Sequence, residues 1–197
     1  MPGRRSNLCW KVAVIKEWLI KWWANREEPQ EFTFPGALQS AKRVLVLMPV
    51  ELEAMHQSEF FLSRLPQAFP RGKVTLLYPP NSLAPRFYNP YGFVALVPEP
   101  SHVRMFDIPK RSFLDKLFDP PFDVVIALNK TPTVFYAAVI MSSHTPVRIG
   151  LPGGMGKPFV TIELRHGRAE VDVKTEYILF VEMLRKLAAP PAATPTT

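Results

Sequence analysis

Apolar residues along this chain fall into short unbroken runs separated by segments of helical spacing, and that alternation sets the expected architecture. The run "KRVLVLMP", opening at Lys42 and stopped by Pro49, has the continuous Val/Leu character of a parallel strand buried on both faces. From Ala54 to Phe69 the apolar positions Met55, Phe60, Phe61, Leu62 and Leu65 change to roughly helical spacing, with Pro70 and Gly72 as the stop. "KVTLLYPP" repeats the strand-then-proline pattern, "FVALVP" is a third strand, and "KRSFLDKLFDPP" is a short helix. "FDVVIAL" is a fourth strand, followed by a helix over Thr133 to Met141 with Thr131 as its cap and Pro132 at its first position, where a missing N–H costs little. "VRIGL" and "FVTIEL" are short strands, and "VDVKTEYILFVEMLRKLA" closes the chain as an amphipathic helix. Strand and helix alternating in this way predict an α/β fold: a Rossmann-like parallel sheet flanked by helices and joined by crossovers.

Three regions follow from the pattern: an amphipathic helical arm and linker over residues 1–40, the core domain over 41–188, and a Pro/Ala/Thr tail over 189–197 with the composition of a disordered segment. The arm has the most distinctive composition of the three. In "CWKVAVIKEWLIKWWANREE", at about 100° per residue, Val12, Ile15, Trp18, Leu19, Trp22 and Trp23 share one stripe, while Lys16, Glu17 and Lys21 lie off it. Tryptophan beside lysine suits a bilayer interface, where indole sits at headgroup level and lysine reaches anionic phosphate. The same stripe would equally serve to pack the helix on its own domain or on another subunit, and Trp10, Val14 and Ile20 fall outside it. Membrane and partner protein therefore both stand as targets for Trp18, Trp22, Trp23, Lys16 and Lys21.

Composition narrows the function classes. With 47% apolar and 21% charged residues in 197, the chain can bury a sizeable core, and its formal charge of +7 makes an acidic partner plausible. No run approaches the ~20 apolar residues that span a bilayer. A single cysteine, Cys9, forms no internal disulfide and no cysteine-based zinc site, which points to a reduced, cytoplasmic setting. His102, His144 and His166 are scattered among few carboxylates, so no metal or other cofactor is expected. Net charge alone favours nucleic acid, but the expected strands carry no arginine-rich aromatic platform, so no nucleic-acid partner is expected.

Ligands of parallel α/β sheets bind outside the carboxyl ends of the strands, and two polar segments occupy that edge. "PVELEAMHQSE" after the first strand brings Glu51, Glu53, His56 and Glu59, and "NKTPT" after the fourth brings Asn129, Lys130, Thr131 and Thr133. A carboxylate beside an imidazole can act as a general base, and a lysine at a helix start can hold phosphate. Glu and His at a helix start are also ordinary caps and solvated positions, and "NKTPT" reads equally as a turn with a cap. "GLPGGMGKP" fails as a phosphate loop, because Leu151 stands where the first glycine belongs and Pro158 where Ser or Thr would bind magnesium.

The core resembles the N-terminal, acceptor-side domain of the heptosyltransferase-like glycosyltransferases, family 9, of GT-B architecture. The residues that carry the resemblance are "RVLVL", the helix running into "RLPQAFPRGKVTLLYP", "FDVVIAL" with its helix, "PVRIGL", and "KTEYILFVEMLRKLA", spanning about Lys42 to Ala188. It implies an acceptor-side loop after the first strand whose Gly-Asp pair supplies the general base. Counted from "RVLVL" without a gap, that pair falls on Glu53-Ala54, so Glu53 is a displaced candidate base. It further implies that a nucleotide-sugar donor binds mainly on a C-terminal Rossmann-like domain, leaving this chain only the acceptor side. The expected function is a non-catalytic, glycosyltransferase-like binding or scaffold domain at the cytoplasmic membrane face, with glycan or nucleotide sugar as ligand. The alternative is an active transferase of cell-envelope glycan assembly that needs a second donor-binding chain.

Overall fold

In the computed structural model, residues 32–80, 82, 91–165, 167 and 171–189 are described. The arm residues Lys16, Trp18, Lys21, Trp22 and Trp23, and the tail beyond Ala189, lie outside them.

Six strands form one all-parallel sheet in the order β3-β2-β1-β4-β5-β6, with β1 Arg43–Leu47, β2 Lys73–Leu77, β3 Val94–Leu96, β4 Val124–Ala127, β5 Val147–Gly150 and β6 Ile162–Glu163. Strand side chains alternate between faces. Accordingly Val44, Val46, Val74, Leu76, Val124, Ile126, Val147 and Ile149 enter one core and Leu45, Leu47, Leu77, Val125 and Ala127 the other. The first core is covered by α1 Gly36–Gln39, α2 Leu52–Gln57, α3 Glu59–Ala68 and α6 Val173–Ala188. The second is covered by α4 Arg111–Leu117 and α5 Val134–Ser142. Burial on both faces explains why the central strands are continuous apolar runs rather than alternating ones. At the amino edge, Asp123 Oδ2 accepts from the backbone N–H groups of Lys42 and Arg43, each at 2.8 Å, and sets β4 against β1.

The expected α/β architecture is present, with three local corrections. The helix expected from Ala54 to Phe69 is two, because the buried Ser58 closes α2 and its hydroxyl donates back to Met55 O at 2.6 Å. Such back-bonding competes with the helical ladder. The cap of α5 is Thr133, whose Oγ1 accepts from Tyr136 N at 3.1 Å; Thr131 and Pro132 precede the cap as exposed loop. The packed unit also begins before Ala41. Leu38 on α1 is 1% exposed within the first core, and Gln39 Nε2 donates to Ala189 O at 2.9 Å beyond the end of α6. The short apolar span "FPGAL" has too little periodicity to be read as a core element before its tertiary contacts are known.

Candidate functional site

In a doubly wound sheet, the natural ligand crevice lies outside the carboxyl ends of the two strands where the order reverses. Here those strands are β1 and β4, so both polar segments singled out above flank the crevice. β1 runs into Met48-Pro49-Val50-Glu51 and α2, and β4 runs into Leu128-Asn129-Lys130 and the turn before α5.

Asn129 sits between the two strand ends and is 1% exposed. Its Nδ2 donates to Met48 O at 2.9 Å and, at longer range, to Leu47 O at 3.4 Å. Its Oδ1 accepts from Val50 N at 3.0 Å. A side-chain amide donates to a carbonyl from its nitrogen and accepts from an N–H at its oxygen at once. Asn129, a ligand-binding candidate in the sequence, thus has both ends of its amide bonded to the backbone at and just beyond the end of β1.

Beneath it, the Tyr136 hydroxyl reaches Met48 O at 2.8 Å and Leu77 O at 3.2 Å, so one phenol spans the ends of β1 and β2. Burial pushes that phenol well above its ordinary range, only partly offset by its hydrogen bonding with Asn129. Tyr177 on α6 donates to Leu128 O at 3.2 Å; burial, and then the charges of Glu176 and Glu51, raise its phenol too. Both tyrosines are neutral donors to backbone carbonyls at physiological pH and form the floor of the crevice.

The rim carries the charge. Lys130 Nζ lies 2.5 Å from Glu176 Oε2 in the first turn of α6; the lysine is half-exposed and the glutamate buried. The amino-terminal end of the helix dipole favours a carboxylate at that place. Lys130 therefore pins the β4–α5 loop to α6. Thr131 is exposed beside it. Glu51 is exposed at the start of α2 and makes no side-chain cap bond. Glu53 is exposed in the first turn of α2, where its Oε1 accepts from Gln57 Nε2 at 3.3 Å, and His56 is exposed in the last turn of the same helix. Glu51, Glu53 and His56 are thus brought to one rim and Lys130 and Thr131 to the other, with Asn129 closing the gap between them.

The glycine loop after β5 supports the same edge. A Cβ at Gly154 would come within 2.9 Å of Asn129 O and 3.1 Å of Leu151 O, so only glycine lets this loop lie against the Asn129 backbone. Gly153 N donates to Glu163 Oε1 at 2.8 Å, and Arg165 clamps the other oxygen of Glu163. That is the physical content of "GLPGGMGKP": a loop packed against the backbone of the β4 end.

Several residues of this edge escaped the sequence reading. Tyr136 had a signal, a lone phenol in an otherwise apolar helix whose residues 134–140 are all buried. Glu176 had a weaker one, an acid in the first turn of the closing helix. Nothing in the spacing pairs it with Lys130, 46 positions earlier, because the pairing depends on β4 and α6 sharing one edge. Among the described residues, no group of three or more His, Cys, Asp or Glu side chains is arranged to hold a metal ion.

No protein-family profile matches the chain, and no curated protein does. A solved structure does: the crystal structure of the glycosyl transferase family 9 from Veillonella parvula DSM 2008 superposes with a TM-score of 0.54 at 22% identity. The match covers 74% of this chain but 41% of that one, so the shared part is less than half of the neighbour's length. At this identity the likeness establishes a glycosyltransferase-family-9-like fold.

Proposed function

We propose that this chain is the acceptor-side half of a GT-B-like architecture, serving as a glycan- or nucleotide-sugar-binding or scaffold domain without transfer activity of its own. The observation that carries this reading is the state of the crevice. Its central polar residue, Asn129, is spent on backbone, and its lysine is held by Glu176. The position where the resemblance expects the catalytic acid bears Ala54, with Glu53 bonded along its own helix to Gln57. A base displaced by one residue and one methylene misses its substrate hydroxyl by a distance that costs about 100-fold or more in rate.

A second reading, an active transferase of cell-envelope glycan assembly completed by a separate donor-binding chain or domain, draws on the exposure of Glu53 at the rim. The two are separated by incubating the purified chain with a panel of nucleotide sugars and envelope-glycan precursors, following thermal stabilisation and nucleotide release together. Stabilisation without release is expected. Release of nucleotide that disappears in Glu53→Gln would establish the second reading.

The arm extends the proposal to location, at the inner face of an anionic membrane. Each buried tryptophan of its stripe would contribute roughly 1.5–3 kcal/mol and each nearby lysine roughly 1 kcal/mol, enough for reversible attachment. Co-sedimentation with anionic vesicles should be strong for the full chain and weak for a chain beginning at Phe32. Equal sedimentation of the two would remove the arm from this role. No helix among the described residues is long and apolar enough to cross a membrane.

A further inference from the structure

A second recess lies on the opposite side of the sheet from α6, between α4, the carboxyl end of α5 and the segment joining β3 to α4. That segment folds back on itself: Val103 bridges Pro109, Arg104 N donates to Ile108 O at 2.7 Å, and Lys110 N donates to His102 O at 2.8 Å. The tip is made by Phe106 and Asp107, consecutive residues in the left-handed region with φ of 64° and 60°. Two such residues in succession are unusual for side chains other than glycine. The third non-glycine residue with positive φ among those described, His144 at 49°, lies on the facing wall. Backbone strain of this kind clusters where a structure holds a ligand site open.

The recess has a volume of about 640 Å³, within the ~300–1,000 Å³ of small-molecule sites. Pro109, Leu114 and Phe118 give it an apolar floor. Arg104 and Arg111 stand on its rim as exposed guanidinium groups, the one from the folded-back segment and the other from the first turn of α4. Ser142 and His144 supply polar contacts at the α5 side. The one acid, Asp115, lies 3.9 Å from Arg111 Nε with both side chains largely exposed, a separation that leaves Arg111 weakly held and able to turn to another anion.

We propose that this recess binds a small organic anion, with a phosphate or carboxylate head between Arg104 and Arg111 and an apolar body on Leu114 and Phe118. Guanidinium is the side chain suited to a forked, charge-assisted grip on such a head. An inorganic anion would leave the floor unused, and a neutral apolar molecule would leave both arginines unused. This site is independent of the crevice between β1 and β4.

The test is isothermal titration of the full chain with hexyl phosphate, alongside hexan-1-ol and inorganic phosphate as the two halves of the probe. One hexyl phosphate should bind per chain, at least tenfold more tightly than either half. Arg104→Gln together with Arg111→Gln should weaken it at least tenfold, and Asp115→Asn should tighten it several-fold. All three side chains are exposed, so the unfolding midpoint of each variant should match wild type and the comparison reads binding alone. Absence of hexyl phosphate binding, binding no tighter than that of either half, or equal affinity in the double arginine variant and wild type would each overturn the proposal.

Discussion

Replacing Asn129 with alanine separates a structural tether from a ligand contact, and the structure sets the size of the expected effect. The substitution removes two well-formed hydrogen bonds, Nδ2 to Met48 O at 2.9 Å and Val50 N to Oδ1 at 3.0 Å, and the long contact to Leu47 O. Met48 O keeps the Tyr136 hydroxyl, and Val50 is 42% exposed, so water can reach part of what is lost. With each bond contributing about 1 kcal/mol net and one buried group left poorly satisfied, the loss should be about 2–4 kcal/mol. For a domain of this size that lowers Tm by roughly 5–12 °C. Urea unfolding followed by circular dichroism should show a reduced midpoint and an unchanged m value, since the surface exposed on unfolding is the same. Asn129→Asp should do at least as much harm at neutral pH, because a carboxylate oxygen would then face the Met48 carbonyl. A loss below about 0.5 kcal/mol for the alanine variant, the level of ordinary surface substitutions, would refute the tether and return Asn129 to the crevice as a ligand residue.

Leu38→Ala should cost about 2–5 kcal/mol as a buried large-to-small change, and a chain starting at Ala41 should unfold at lower urea than one starting at Phe32. Thr133→Ala should cost about 1 kcal/mol through loss of the α5 cap, whereas Thr131→Ala should leave the urea midpoint unchanged. Asp172, which caps α6, is held below the ordinary carboxylate range by the Thr175 hydroxyl and then the Thr175 N–H. A depressed native value means the cap's contribution is complete above the unfolded aspartate value of about 3.9 and is lost as pH falls through the native one. The acid limb of a stability–pH profile should therefore be shallower in Asp172→Asn than in wild type; identical limbs would count against the cap.

What the sequence determined by itself was the kind of fold. Strands buried on both faces must be apolar throughout, so "RVLVL", "KVTLL" and "DVVIA" announce a parallel sheet through the period of their burial alone. Helix stops at Pro and Gly, and the polar segments at strand ends, are similarly local and readable. The use of those polar residues was decided only by the tertiary structure. Asn129 looks like a ligand residue in sequence because its partners, Met48 and Val50, lie some 80 positions away. The strand order places β1 and β4 side by side, and only then does the amide find a carbonyl and an N–H at the right distances. Lys130 and Glu176 meet for the same reason, and Leu38 becomes core only because α6 ends beside α1. Polar side chains have no periodicity of their own to reveal such partners: a hydrogen bond or ion pair is fixed by position in space, whereas burial on a strand is fixed by position along the chain.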